Sequence, residues 1–187
     1  VRRRYEIRFR DLNTGIDLPD LLVDCGEGGA FADDNIFFYA RKDRTLRNAR
    51  IFRHVLGTDQ EEDVEVFHER NRAFACDVYR SRSDKFIILS SESTLSSEHR
   101  LLPVDRPLGE FDVLFPRERK RELSIMHMPN VQDGSKPGRF LLLTNWKARN
   151  FRLMECPEHD TSRSAWTEII PHRKDVLLED VDAFRDH

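Results

Sequence analysis

The sequence predicts an all-β fold, a partial β-propeller of about three four-stranded antiparallel blades with flanking half-blades. Three observations predict it. Short apolar or alternating runs recur along the chain, and no long stripe with the 3.6-residue period of a helix interrupts them. The runs also repeat in one order, with roughly 43 to 54 residues per repeat, which is the size of a four-stranded propeller blade.

Two kinds of run make up each repeat. Phe86–Leu89 and Phe140–Leu143 are compact, apolar and bounded by polar turns, as buried strands are. The run Tyr5–Arg10 alternates instead, with its aromatic and aliphatic side chains on one face and its charged side chains on the other. Alternation of this kind predicts a strand with one buried face.

The repeats divide the chain into blade-like units at about residues 30–70, 73–116 and 123–172, with partial units at about 1–24 and 176–187. The first repeat contains Ala30–Asp34, Ile36–Ala40, Ala49–His54 and Val64–His68; the second contains Ala73–Asp77, Phe86–Leu89, Glu98–Val104 and Phe111–Phe115; the third contains Leu123–His127, Phe140–Leu143, Asn150–Met154 and Trp166–Ile170.

The flanks extend the same pattern. Tyr5–Phe9 and Leu21–Val23 are expected to be the last two strands of a preceding blade, and Val176–Phe184 the first strand of a following one. A β-sandwich also has many short strands, but it need not repeat them in one order at one spacing. Because closed propellers usually have 4 to 8 blades, we expect the chain to be part of a longer protein.

The amino-acid composition limits the kinds of molecule that the protein is expected to bind. The 31 Lys and Arg nearly cancel the 34 Asp and Glu, and the formal net charge of -3 predicts neither nucleic-acid nor membrane binding. No 18-residue apolar run occurs. Cys25, Cys76 and Cys156 are widely spaced, which predicts free thiols in a reducing cytosol rather than a zinc site or a disulfide framework.

The motifs of known chemistries are missing. No serine lies in a G-x-S-x-G elbow, which argues against a self-sufficient hydrolase. The seven histidines are scattered, and we expect them at the surface or at strand edges. Gly26–Gly29 lacks the rest of a phosphate-binding loop and predicts an inter-blade turn. Glu61–Asp63 matches no calcium loop and predicts a solvated turn. We therefore expect no cofactor, no metal and no catalytic residue.

Two polar segments are predicted to be loops. Arg117–Glu122 mixes basic and acidic residues, which favours a solvated loop over a nucleic-acid patch. Asn145–Asn150 joins two predicted strands and is expected to form a polar hairpin, although its donors could contact a partner.

One arrangement of acidic residues predicts a site. The first strand of each propeller blade lines the central channel, and here those strands carry Asp33, Asp34, Asp77, Asp180 and Asp182. Carboxylates gathered at a narrow channel would attract cationic peptides. The alternative is that these side chains cap turns or make structural hydrogen bonds.

The chain resembles the N-terminal propeller domain of the oligopeptidase B (protease II) group of prolyl-oligopeptidase-type serine peptidases. The matching stretches follow family order over essentially the whole chain: Tyr5–Gly15, Phe37–Tyr39, Phe52–Thr58, Ser81–Ile87, Gly109–Phe111, Leu114–Arg117, Leu143–Asn145, Lys147–Phe151, Trp166–Arg173 and Leu178–Asp182. Met128–Gly138 departs from the family as an insertion, and its Pro and Gly content predicts an exposed loop.

This resemblance implies a cytosolic parent with a seven-bladed propeller and an α/β-hydrolase domain that carries a Ser-Asp-His triad. The parent would cleave short peptides after Arg or Lys, and its propeller would exclude large folded proteins. No triad or substrate-pocket position of the hydrolase domain matches a residue here, so the chain alone is expected to be non-catalytic. The alternative is a free-standing propeller scaffold that binds a protein partner, although the Gly-His and Trp-Asp blade signature is missing.

Overall fold

The computed structural model describes residues 3–129 and 138–183. The predicted insertion therefore falls mostly outside the described residues. Within them, two short 3-10 helices (Gln60–Glu62 and Arg163–Ala165) accompany strands β1 Tyr5–Arg10, β2 Asp17–Cys25, β3 Ala30–Phe31, β4 Ile36–Lys42, β5 Asn48–Val55, β6 Val64–His68, β7 Ala75–Arg80, β8 Phe86–Ser93, β9 Ser96–Pro103, β10 Asp112–Phe115, β11 Leu123–Met128, β12 Arg139–Thr144, β13 Arg152–Pro157 and β14 Thr167–Ile170.

The strands form antiparallel sheets in the order that the repeat predicts. One sheet runs β7–β8–β9–β10 and another runs β11–β12–β13–β14. In the latter, the register extends from Leu123↔Thr144 to Met128↔Arg139 without a bulge. A third sheet contains β3–β4–β5–β6 in the same order. The all-β, antiparallel class with four-stranded units is confirmed.

The β1–β2 hairpin is the exception, because it is hydrogen-bonded into the sheet of β3–β6 and makes that sheet six-stranded. Its connection is one bridge, Cys25↔Arg41. By contrast, β4 and β5 pair from Ile36↔Val55 to Lys42↔Asn48. The hairpin therefore shares little backbone hydrogen bonding with β4, but its side chains Phe9 and Leu22 pack with Phe37 and Tyr39 of β4 in one core cluster.

The described part of the segment after β14, residues 171–183, contains no strand. The strand predicted to begin at Val176 is therefore absent from these residues. A strand needs a partner for its backbone N–H and C=O groups. The segment instead contacts the turn after β12 through a hydrogen bond of 3.1 Å from Leu178 N to Asn150 O. Phe184, the end of the predicted strand, lies outside the described residues.

The described chain forms two compact units. The first comprises residues 3–80, 85–93 and 100–112. Its main core joins side chains of β4 and β5, such as Phe38 and Ile51, to Val78 of β7 and Leu89 of β8. Phe38 also meets Phe111 edge to face, with ring centroids 5.6 Å apart. This core buries the continuous apolar runs that the sequence pattern identified as strands.

The second unit comprises residues 81–84, 94–99, 113–129 and 138–183. The apolar residues of β12 are its centre, and Phe140 and Leu142 are fully buried. Phe115 packs edge to face on Phe140 at 6.4 Å and on Trp166 at 5.8 Å. A strand buried on both faces explains why β12 reads as an apolar run rather than as an alternating one.

The turn at residues 26–29 links β2 to β3 and has a steric requirement at Gly29. A Cβ atom there would lie 2.4 Å from Phe37 Cζ and 2.7 Å from Phe38 O. The backbone oxygen belongs to β4, so it cannot move without disturbing the sheet. The neighbouring Gly28 has a φ of +74°, but a Cβ atom at this position would meet nothing within 4 Å.

We expect Gly29→Ala to lower the free energy of unfolding by about 3 kcal/mol, because the added methyl group overlaps fixed backbone. Gly28→Ala is the matched control and should cost only about 1 kcal/mol, from left-handed backbone conformation alone. Urea unfolding of the full-length protein and both variants measures the difference. Equal losses would show that the close approach of Gly29 to β4 has no energetic consequence.

Candidate functional site

The five acidic residues predicted to line a channel fall into two groups. Asp33 and Asp34 lie in the turn between β3 and β4, and Asp77 lies on β7, all in the first unit. Asp180 and Asp182 lie in the segment after β14, in the second unit.

Asp33 and Asp34 line a cleft of about 1120 Å³ in the first unit. That volume is slightly above the usual range of small-molecule sites and leaves room for a few residues of a peptide. Part of its lining is apolar and consists of Phe9, Leu18, Phe31 and Leu56. The charged part of its lining includes Arg8, Arg10, Asp11, Asp20 and Arg80.

The two carboxylates differ in what they bind. Asp33 Oδ1 accepts hydrogen bonds of 2.8 Å from Asn35 N and from Ile36 N, so it caps its own turn. Asp34 makes no hydrogen bond or ion pair with any residue that the structure describes. Asp34 is thus the carboxylate of this pair that is available to a ligand.

The basic groups of the cleft are already engaged. Arg10 makes a bidentate pair with Asp17, at 2.6 and 3.1 Å. Arg80 donates to the carbonyl oxygens of Phe31 and Ala32, at 3.1 and 3.3 Å, and so ties the end of β7 to β3. Neither Arg10 nor Arg80 forms an ion pair with Asp34.

Asp77 is part of a second acidic surface, formed by β7 and β8. It lies opposite Ser90 in the register, which puts Glu92 on the same face. Both carboxylates are exposed, yet the protein around them displaces enough water to raise both pKa values. The charge of Glu27 raises the pKa of Asp77 further, and the charge of Asp77 raises that of Glu92. Each of these two carboxylates is thus destabilised by another negative charge, which makes a bound cation favourable.

In the second unit, Asp180 and Asp182 have separate surroundings. Asp180 lines a small pocket of about 100 Å³ beside Ile125 and Leu141, and its Oδ1 accepts a hydrogen bond of 2.7 Å from Val181 N. Asp182 pairs with Arg82 at 2.7 Å, and both side chains are more than half exposed. Its charge is therefore balanced by a neighbour.

The structure thus brings Asp33 and Asp34 to one cleft and gives Asp77 a second acid as a neighbour. Sequence reasoning missed Glu92, although the alternation in Ser90-Ser91-Glu92 would have indicated its face once the partner strand was known. The shared role of the five acids in attracting peptides stays a prediction. The contacts of Asp33, Asp180 and Asp182 are those of the structural alternative.

The expectation that the histidines lie at the surface or at strand edges is wrong for three of them, because His54, His99 and His127 are buried. His54 lies between two carboxylates: its Nδ1 is 2.7 Å from Asp63 Oδ1 and its Nε2 is 3.2 Å from Asp20 Oδ1. The phenyl ring of Phe9 stacks on it with centroids 5.8 Å apart. The expectation of a solvated turn was wrong for Asp63, whose side chain is 1% exposed.

In the His54 cluster, the hydrogen bonds that Asp20 accepts outweigh the effect of burial on its pKa. Burial alone would raise the pKa of Asp20, but hydrogen bonds from Gly57 N and His54 lower it overall. Tyr39 donates to Asp63 Oδ2 at 2.6 Å, and burial together with this bond raises the pKa of the phenol. The cluster joins β2, β4 and β5 to Asp63, which follows the first 3-10 helix. Its role is therefore structural.

His127 joins three parts of the second unit. Its Nδ1 is 2.7 Å from Ser83 Oγ and its Nε2 is 3.1 Å from Glu158 Oε2. A serine, a histidine and an acid also make a hydrolytic triad, but a catalytic histidine must reach the substrate, and this side chain is 0% exposed. Ser83 is also hydrogen-bonded to Ser81 at 2.8 Å. We interpret this cluster as a tie between the turn after β7 and strand β11.

The described residues contain no reactive thiol and no cluster of metal ligands. Cys25, Cys76 and Cys156 are free and buried. Burial raises the pKa of Cys25 and Cys76 to about 12 and that of Cys156 to about 11, which suppresses thiolate reactivity. Among the described residues, no group of three His, Cys, Asp or Glu side chains could hold a metal ion. No described helix is long and apolar enough to span a membrane.

Comparison with known protein families gives one assignment. The family model for the prolyl oligopeptidase N-terminal β-propeller domain matches residues 2–187. Dipeptidyl aminopeptidase BI of Pseudoxanthomonas mexicana is 40% identical over 186 residues, which are 98% of this chain and 24% of the relative. Protease 2 of Moraxella lacunata is 30% identical over 98% of this chain and 26% of the relative. The chain thus spans about a quarter of the length of these curated relatives.

Solved structures show the same relationship. Oligopeptidase B from Trypanosoma brucei, in a closed form with covalently bound antipain, matches with a TM-score of 0.83 and 26% identity over 97% of this chain and 24% of that one. Oligopeptidase B from Leishmania major matches with a TM-score of 0.81 and 25% identity over 95% of this chain and 24% of that one. The resemblance to the oligopeptidase B propeller is confirmed.

The buried His99, on β9, makes a pH-dependent contribution to stability. It is 1% exposed, and burial, assisted by the charge of nearby Arg121, lowers its pKa from 6.5 to about 4. Arg121 is itself only 5% exposed, so the prediction of a solvated loop was wrong for this residue.

The folded-state pKa of His99 is below the unfolded value, so the unfolded chain binds more protons as the pH falls. The contribution of His99 is present above about pH 6.5 and is lost between about pH 6.5 and 4, by about 3 kcal/mol. We expect His99→Gln to flatten this part of the stability profile of the full-length protein, as measured by urea unfolding at several pH values. His68→Gln, at a half-buried position, is the control and should keep the wild-type slope. An unchanged slope in His99→Gln would contradict the assignment.

Proposed function

The chain belongs to the prolyl oligopeptidase family as part of its N-terminal β-propeller domain, and from this membership we propose that it gates substrate access in an oligopeptidase-B-like serine endopeptidase. The parent protein would hydrolyse short peptides after Arg or Lys. The fold match to oligopeptidase B over nearly the whole chain is the observation that carries this proposal.

The division of labour within the parent follows from what the chain contains. The relatives place this propeller with a C-terminal hydrolase domain in the same chain, which would be its principal partner. Among the described residues, His54 and His127 are buried in structural clusters, where neither can reach a peptide substrate. We propose that the Ser-Asp-His triad lies in the hydrolase domain, and that this chain alone cleaves no peptide.

Electrostatics gives the propeller a means of selection. Asp34 in the cleft of about 1120 Å³ and the Asp77–Glu92 surface are both exposed acidic sites. Exposed carboxylates raise the local concentration of cationic peptides when ionic strength is low. Such attraction would favour the short basic peptides that an Arg- or Lys-specific peptidase cleaves. The buried free thiols suit a reducing compartment, and we propose the cytoplasm.

A second candidate activity comes from a relative. The 40% identical protein is named a dipeptidyl aminopeptidase, so the parent could instead release dipeptides from free N-termini. A third possibility, a free-standing scaffold that binds a protein partner, would require no peptidase activity at all. Peptide substrates with different N-terminal groups distinguish the three.

The decisive experiment compares two fluorogenic substrates that end in the same Arg residue, one with a blocked N-terminus and the other a free dipeptide. We expect the full-length protein to cleave both, with inhibition by a serine-directed reagent, and residues 1–187 alone to cleave neither. Cleavage of the free dipeptide only would favour the aminopeptidase. Failure of the full-length protein on both would favour the scaffold, and activity of the chain alone would contradict its non-catalytic role.

The acidic sites make a quantitative prediction. Asp34→Asn combined with Asp77→Asn should lower kcat/KM for a cationic peptide by about threefold at low salt, because two attractive charges are lost. A neutral peptide of equal length should be unaffected, and high salt should abolish the difference. Asp105→Asn is the control, since Asp105 is 81% exposed and does not line the cleft. Equal effects on cationic and neutral peptides would mean that these carboxylates do not select by charge.

A further inference from the structure

A second cleft in the first unit concentrates positive charge, although the chain as a whole carries a formal net charge of -3. Its volume is about 610 Å³, and eight of its thirteen lining residues are Lys or Arg. Only two lining residues, Asp43 and Glu69, are acidic. Five of the basic residues lie within residues 41–50, and the other three, Arg4, Arg70 and Arg72, come from two other parts of the sequence.

Neither acidic side chain is available to balance the surplus. The Asp43 carboxylate accepts hydrogen bonds from Thr45 N at 2.8 Å, Thr45 Oγ1 at 2.7 Å and Arg47 Nε at 3.0 Å. Burial opposes ionisation of Asp43, but these bonds outweigh it and lower its pKa to about 2. Glu69 is 3% exposed and accepts hydrogen bonds from Asn71 N, at 2.7 Å, and from the Ser91 hydroxyl.

Several of the basic side chains are engaged as well. Arg47 has a structural role, because it pairs with Asp43 and donates to the backbone carbonyl oxygens of Glu69 and Asn71, at 3.2 and 2.9 Å. Arg4 and Arg50 are paired with carboxylates outside the cleft, at 3.0 and 3.3 Å. Lys42 has an acidic neighbour 3.6 Å away.

Four guanidinium groups remain. Arg41, Arg44, Arg70 and Arg72 form no ion pair with any carboxylate in the part of the chain that the structure describes. Arg41 lies over the ring of Phe52, 5.2 Å from its centroid, which orients the group without neutralising it. Four unpaired like charges around one cleft repel one another, and a bound anion would relieve that repulsion.

We propose that this cleft binds a multivalent oxyanion, specifically a compound that carries two or more phosphate groups. The planar guanidinium fork matches the oxygens of a phosphate in bidentate fashion, and each such bond is charge-assisted. Adjacent phosphate groups supply the several negative charges that four arginines require within one small volume. A volume of about 610 Å³ fits a di- or triphosphate.

The site is independent of the proposed peptidase activity, because it is defined by arginines rather than by the acidic cleft or surface. Its test is calorimetric titration of the full-length protein with sodium tripolyphosphate at low salt. We expect saturable binding that weakens as salt is added and that is tighter than binding of inorganic phosphate. The double variant Arg70→Glu/Arg72→Glu should weaken binding by at least about tenfold, because two charge-assisted contacts become repulsive.

Two variants make the result interpretable. Arg106→Glu changes a 75% exposed arginine that does not line the cleft and should leave the affinity unchanged. Arg44→Ala removes one unpaired charge at an exposed position and should weaken binding even if the double variant fails to fold. Equal binding by wild type, Arg44→Ala and Arg106→Glu would overturn the proposal. So would tighter binding of an oligoglutamate peptide than of tripolyphosphate, which would point to an acidic protein segment instead.

Discussion

The burial of both faces of one strand in each sheet is the constraint on which the rest of the structure depends. Ile36–Ala40 of β4, Phe86–Ser91 of β8 and Phe140–Thr144 of β12 are each buried at consecutive positions. Pairing within a sheet leaves both faces of a strand uncovered. A strand that is apolar on both faces therefore needs other side chains packed against each face. In the first unit, the cluster that contains Phe38 and Leu89 meets this requirement. The flanking strands can then alternate, and their outer faces carry the charged residues.

That constraint also explains which parts of the fold the sequence predicts. Consecutive apolar residues are a local signal, and all three buried strands were recognised from it. The segment from Val176 has a similar local pattern, but its strand needs a neighbouring backbone, and none pairs with it in the described residues. Pattern therefore indicates which segments are able to form strands, whereas pairing decides which of them do.

The candidate site was predictable only where its contacts are local. Asp33 bonds to backbone two and three residues away, so a turn-capping role could be foreseen from the sequence. Asp182 pairs with Arg82, a hundred positions earlier, and no sequence pattern indicates that pair. The basic cleft was missed for the same reason, because Arg4, Arg70 and Arg72 join the basic residues of 41–50 only in the folded chain. The overall balance of 31 basic and 34 acidic residues hides two oppositely charged surfaces on one unit.

The buried His54 has a consequence for how this sequence can change over evolutionary time. The imidazole ring separates Asp20 from Asp63, and the side chains of all three are at most 2% exposed. Replacing the histidine alone would leave two carboxylates facing each other in a dry interior, and replacing one carboxylate alone would leave a ring nitrogen without its partner. A mutational path away from this cluster must therefore alter several codons together or pass through a poorly folded intermediate. Positions 20, 54 and 63 should therefore change together in evolution, although His54 is 34 residues from Asp20 and 9 residues from Asp63 along the chain.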